Sequence, residues 1–235
     1  MYFIGFDWTY IYLVLPCLVL AMIASACVDK TFEKYSKQIS QRHITGAEAA
    51  KQVLRANGIY DVRIEMIAGK LTDHYDPKAN VIRLSQNVYN SPSTAAIGVA
   101  CHEAGHAIQY ANHYRPIMLR AAVIPVTNIG SKLAFPLILL GLILNRLGDI
   151  SYIFIYVGII LFSLSLVLQL ITLPVEFNAS RRAIKAIENS QILTPAELKG
   201  SQKTLNAAAM TYVAATAVAF AQLLRLILLF RRRRD

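Results

Sequence analysis

Four stretches of this 235-residue chain are long and apolar enough to cross a bilayer, and they constrain its fold more than anything else in it. They occupy residues 10–28, 118–144, 152–173 and 205–230. A helix needs about 20 apolar residues to span a hydrocarbon core of about 30 Å. The first stretch, interrupted only by Pro16, and the third, which carries no charge, meet that outright. The second contains Arg120, Asn128 and Lys132, so it is expected to begin as a polar, protein-contacting helix and to enter lipid near Ala134. The fourth carries Arg225 and is rich in Ala, a composition that suits close helix packing. A signal peptide is the other reading of the first stretch, with Ala24-Ser25-Ala26-Cys27 as a cleavage site. No Lys or Arg precedes Lys30, so the basic n-region is missing and a retained membrane helix is expected.

Composition agrees. The chain is 55% apolar and 16% charged, against about 45–50% and 25% for a soluble domain. That excludes a purely soluble globule and, equally, disorder. Cys17, Cys27 and Cys101 are too few for a complete disulfide set and lack zinc-finger spacing, which fits a reducing compartment or burial in lipid. The net charge of +10 permits an anionic lipid surface or nucleic acid as partner.

Basic residues set the orientation. Lys30, Lys34, Lys37 and Arg42 follow the first stretch; Arg181, Arg182, Lys185, Lys199 and Lys203 follow the third. The loop between the second and third holds only Arg146. The positive-inside bias therefore puts residues 29–116 and 174–204 in the cytoplasm and the N-terminus outside. If the fourth stretch spans, arginines 231–234 end outside, against that bias, so three or four spans remain open. Directly after residues 226–230 these arginines suit an interfacial anchor better than nucleic acid.

Residues 29–116 read as a small α+β unit. Thr45-Gly46-Ala47-Glu48 is a capping box. Ala49, Ala50, Val53 and Leu54 then share a helical face, and Gly58 suits the stop. Val62, Ile64 and Met66 alternate with charged residues as in a half-buried strand. Further strands are expected at 71–75 and 81–84, with a turn at 76–80 between them. Ser91-Pro92 is expected to start a helix that runs through 95–110, with Pro92 at its first position. Thr194-Pro195-Ala196-Glu197 repeats the capping box and opens another helix.

The run His102-Glu103-Ala104-Gly105-His106 lies on the expected 95–110 helix. Histidines four apart point from one helix face and can bind a single zinc ion. Glu103, next to the first ligand, is placed to take a proton from a bound water. Gly105 inside a helix costs roughly 1 kcal/mol relative to Ala, so it asks for a reason such as close backbone packing. A third ligand is required. A metzincin would place His six residues past the second His, where Asn112 stands, and Gly at the third, where Gln109 stands; His113 is out of register. Glu176 is the leading candidate, because two membrane helices separate it from His102 and return it to the same side. A solvated carboxylate paired with Arg181 or Arg182 is the plainer alternative.

On these residues the chain resembles the YugP-type neutral zinc metallopeptidases of bacterial membranes. The resemblance covers nearly the whole length: the N-terminal membrane helix, Leu71-Thr72-Asp73-His74-Tyr75-Asp76-Pro77, the HExxH run continued by Ala107-Ile108-Gln109, and residues 176–183. The chain is more distantly similar to the HtpX heat-shock proteases and the isoprenyl-protein endopeptidases. There a Glu-x-x-x-Asp run gives the third ligand and an Asp that supports a zinc-bound His. Glu176 matches the first position, while the fifth is Ser180, whose hydroxyl can accept from an imidazole but carries no charge.

The resemblance implies an α+β membrane protein: a mostly helical, zincin-like metalloprotease domain with a small β-sheet, plus three to four transmembrane helices. Residues 1–28 would be the N-terminal span, 29–117 the HExxH part of the protease domain and 118–173 two spans. Residues 174–204 would be the third-ligand part, and 205–235 a C-terminal apolar helix with a basic tail. The implied activity is zinc-dependent endopeptidase at the cell membrane, with Glu103 as general base and Zn²⁺ on His102, His106 and Glu176. Partners would be peptide or protein substrates, membrane proteins among them, and the lipid bilayer, with no nucleic acid. His74, Ser180 and Tyr212 are candidates for contact with substrate or transition state. Tyr110 and His113 are further oxyanion candidates. The alternative class is a non-catalytic membrane scaffold with a structural zinc site. Glu103 argues against it, because a structural site closes with four protein ligands and needs no adjacent base.

Overall fold

A computed structural model describes residues 8–144 and 148–231. A π-helical turn at Tyr10–Val14 runs into α1 (Leu15–Ser36). Then follow α2 (Gly46–Ala56), β1 (Arg63–Ile67), β2 (His74–Asp76), β3 (Val81–Ser85), α3 (Gln86–Tyr89) and α4 (Thr94–Ala111). Three long helices complete the chain: α5 (Arg115–Ile143), α6 (Asp149–Asn189) and α7 (Pro195–Arg231). The protein is therefore mostly helical, with a small three-stranded sheet. Arg146 and residues 232–234, weighed above for topology, lie outside the described residues.

Among the described residues four helices have the length and hydropathy to cross a membrane: Tyr10–Ser36, Arg115–Ile143, Asp149–Asn189 and Pro195–Arg231. Each reaches beyond its apolar stretch. Residues 174–204 are shared between two long helices. α6 continues through Pro174 to Asn189, and the helix opened at Thr194 runs on into the fourth apolar stretch as α7. A proline in a helix interior removes a hydrogen bond and disfavours continuation by about 3 kcal/mol. Beyond it Val175, Ala179, Ala183 and Ile187 recur every four residues, all without solvent exposure. That buried stripe outweighs the local break.

The chain divides into two compact units. The first comprises Met1–Ile23, Leu119–Leu173 and Thr211–Asp235. Within it α5 and α6 approach closely at glycines. A Cβ on Gly158 would stand 2.8 Å from the Ala134 carbonyl oxygen, and one on Gly141 2.6 Å from that of Ser151. Ala134 is buried in this helix contact. Asn128 and Lys132 are exposed, while Thr127 and Gly130 turn toward Leu164.

The second unit comprises Ala24–Met118 and Pro174–Met210. The capping box of α2 is complete: the Thr45 hydroxyl accepts from the Glu48 amide, and the Glu48 carboxylate accepts from the Thr45 amide. Thr194 and Glu197 do the same for α7. The sheet has the order β1-β3-β2, with β1 parallel and β2 antiparallel to the central β3. β3 is buried on both faces. β1 starts one residue later than its alternation suggested, and Met66 is 52% exposed, because β1 is an edge strand. β2 is shorter than expected and begins at His74. α4 starts at Thr94 rather than at Pro92. The Pro92 carbonyl accepts from the Ser40 amide, and Ser93 caps the helix by accepting from Ala96. The short helix α3 was not foreseen. Its Val88 lies under α2, where a Cβ on Gly46 would collide with the Val88 carbonyl.

Candidate metal centre

α4 carries the HExxH run, and its packing fixes which way that run faces. Ala96, Ala100, Cys101, Ala104, Ala107 and Ile108 enter the core of the second unit. Burial pushes the Cys101 thiol well above its usual range, so it stays protonated and packs as an apolar group. His102 and His106 stand one turn apart on another face, with ring centroids 4.7 Å apart and planes nearly perpendicular. Gly105 lies against α6: a Cβ there would be 2.6 Å from the Ala179 carbonyl oxygen. The close backbone packing that this glycine called for is thus with the helix that carries Glu176.

The approach brings Glu176 between the two rings. Its Oε2 lies 3.2 Å from His102 Nε2 and 3.5 Å from His106 Nε2. One donor atom from each of the three side chains falls within 4.8 Å of the others. The opposite ring nitrogens are engaged elsewhere. His102 Nδ1 is 3.0 Å from the Ser180 hydroxyl, and His106 Nδ1 is 3.0 Å from Gln109 Oε1. With Nδ1 of each ring turned outward, each Nε2 faces the Glu176 carboxylate oxygen, where it can donate a proton to it or, deprotonated, offer its lone pair to a metal. Three potential ligand atoms converging on one point can hold a cation among them. Two imidazole nitrogens with one carboxylate are the donors of hydrolytic zinc sites, which keep a fourth position open. The residues therefore fit zinc.

The electrostatics favour positive charge. Burial opposes protonation of His106, yet its hydrogen bond to Glu176 and the charges of Glu103 and Glu176 hold its proton affinity above the ordinary imidazole value. Glu103 is 8% exposed, and its carboxylate accepts no hydrogen bond from the described residues.

The other candidates fall as follows. His74 opens the edge strand β2, and its Nδ1 lies 2.8 Å from the Thr72 carbonyl oxygen. Its neighbour Asp73 accepts from the backbone and hydroxyl of Ser85, while burial raises its carboxyl pKa. The Tyr110 ring leans on that of Tyr75, 5.7 Å away. His113 takes a left-handed conformation just past the end of α4. Tyr212 lies on α7 in the first unit, whereas the cluster lies wholly in the second. Arg182 does not pair with Glu176; it donates to Asn178 Oδ1 at 2.7 Å and lies over the Tyr114 ring.

Sequence reasoning passed over Gln109 and Asn178. Gln109 is fully buried, and its amide nitrogen donates to the Val175 carbonyl at 2.8 Å and to Asn178 Oδ1 at 3.1 Å. A signal existed, since Gln109 stands three residues past His106 on the same helix face.

A family model described as "Putative neutral zinc metallopeptidase" matches residues 10–231. The "Putative membrane protease YugP" of Bacillus subtilis (strain 168) is 46% identical over 226 residues, covering 96% of this chain and 98% of the relative. No solved structure matches the chain.

Proposed function

The chain belongs to the neutral zinc metallopeptidase family, and from that premise we propose that it is a multi-pass membrane endopeptidase with zinc on His102, His106 and Glu176. The convergence of those three donor atoms within 4.8 Å carries the reading. When bound, zinc supplies the Lewis acidity that polarises a scissile carbonyl and lowers the pKa of the attacking water toward about 7. Glu103 accepts the proton of that water and then delivers it to the leaving amine. Its near burial keeps competing solvent away from that exchange. Ser180 holds the His102 ring through Nδ1, so its contribution is positional. The catalytic unit is zincin-like in its pairing of an HExxH helix with a small sheet, and β2 presents His74 at that sheet's edge. The basic residues that follow the first and third apolar stretches assign this unit to the cytoplasmic face. Its substrates are peptides or proteins, membrane proteins among them.

Glu103→Gln separates the enzyme from a scaffold with structural zinc. Gln is nearly isosteric and Glu103 is not a ligand, so zinc content should equal that of the wild type. Hydrolysis of casein or a reporter peptide should fall by roughly 10²–10⁴-fold, the usual range for a lost general base. His102→Ala should lose both zinc and activity. Zinc-loaded Glu103→Gln protein that cleaves at the wild-type rate rules this mechanism out.

A further inference from the structure

We infer that Gln109 is a positioning residue that selects the Nδ1–H tautomer of His106 and thereby sets zinc affinity. The inference rests on His106 being a zinc ligand.

The orientation of every group in the chain of contacts follows from its two ends. The Val175 carbonyl can only accept, so the Gln109 atom beside it must be the amide nitrogen. The Arg182 guanidinium can only donate, so the Asn178 atom beside it must be the carbonyl oxygen. That same Asn178 oxygen takes the second Gln109 N–H at 3.1 Å. Both amide protons are then spent, and only Oε1 remains to face His106, at 3.0 Å. An acceptor at Nδ1 requires a proton on Nδ1, which makes Nε2, 3.5 Å from Glu176 Oε2, the nitrogen available to a metal. With no exposure, Gln109 has no water to satisfy a flipped amide. Flipping it would set N–H against an imidazole N–H and two oxygens against each other. Partners of this kind on zinc-bound histidines typically contribute 10–100-fold in metal affinity.

The test uses the full-length protein in detergent micelles, with ¹⁵N-labelled histidine and zinc competition against a chromophoric chelator. Gln109→Met keeps length and volume but removes the oxygen. Metal-free wild type should show His106 protonated at Nδ1, and Gln109→Met a mixture of tautomers. Zinc affinity of that variant should fall 10–100-fold. Asn178→Ala should loosen the amide and weaken zinc several-fold, while Asn178→Asp, which keeps the oxygen acceptor for both donors, should restore wild-type affinity. A merely structural role would lower the thermal stability of the metal-free protein and leave the tautomer alone. Should Gln109→Met misfold, the two Asn178 variants decide. Wild-type affinity and an intact Nδ1–H signal in Gln109→Met, or equal zinc binding by both Asn178 variants, overturns the inference. A wild type that holds no zinc instead sinks the metal-centre reading, and the tautomer of the metal-free protein still decides the role of Gln109.

Discussion

Glu176 offers one oxygen to both imidazoles and is only 2% exposed, whereas the other acidic residue in this part of α6, Glu188, faces solvent. The two carboxylates sit on one helix and differ in what they touch, which makes them a controlled pair. Glu176→Ala should release zinc during dialysis against chelator, because two imidazoles alone hold it weakly. Glu188→Ala should retain wild-type zinc. Atomic absorption on the dialysed proteins reads the difference, and zinc kept by Glu176→Ala would mean that another group closes the site. Cys101 is no such substitute despite preceding His102, since it is buried in the apolar core with its thiol protonated. At this scale the sequence carried the identities of His102, Glu103 and His106, and spacing alone put both imidazoles on one face. It did not carry which ring nitrogen faces inward, because that depends on Ser180 and Gln109 and on what holds them.

Two elements make the site, α4 and α6, and their separation is set where neither has side-chain bulk. Gly105 meets the Ala179 backbone, and Ala179 lies between the turns that present Glu176 and Ser180. Gly105→Ala would gain roughly 1 kcal/mol of helix propensity. Its methyl group, 2.6 Å from a carbonyl oxygen, would force the helices apart, and overpacking of this kind costs about 1–3 kcal/mol. The expected result is a metal-free protein little changed or modestly lowered in Tm, with zinc affinity reduced because Glu176 no longer reaches both rings. Thermal denaturation and chelator competition on the same sample separate the two effects. The capping boxes of α2 and α7 were legible in the sequence because each is complete within four residues. The passage of α6 through Pro174 was not, because it depends on a buried stripe whose partners lie elsewhere in the chain.

For the molecule as a whole, the proposed topology has residues 29–117 and 174–204 on one side of the bilayer, because two proposed spans separate them. On the positive-inside bias of lysine and arginine, we propose that this side is the cytoplasm. Single cysteines at positions 70 and 190, in a background with Cys17 and Cys27 replaced by Ser, test this with a membrane-impermeant maleimide. Both should be protected in intact cells and label after permeabilisation. Labelling of both from outside reverses the orientation, and labelling of only one separates the proposed ligands. The sequence by itself determined the four apolar helices, the HExxH face and the capped starts of α2 and α7, because each depends on residues within a few turns of one another. Only the tertiary structure decided the rest of the site. Ser180 meets His102 across 78 positions, Glu176 meets it across 74, and Gln109 meets the Val175 carbonyl across 66. No local pattern encodes such pairs. They exist because burying α4 against α6 leaves each polar group without water and with one partner within reach.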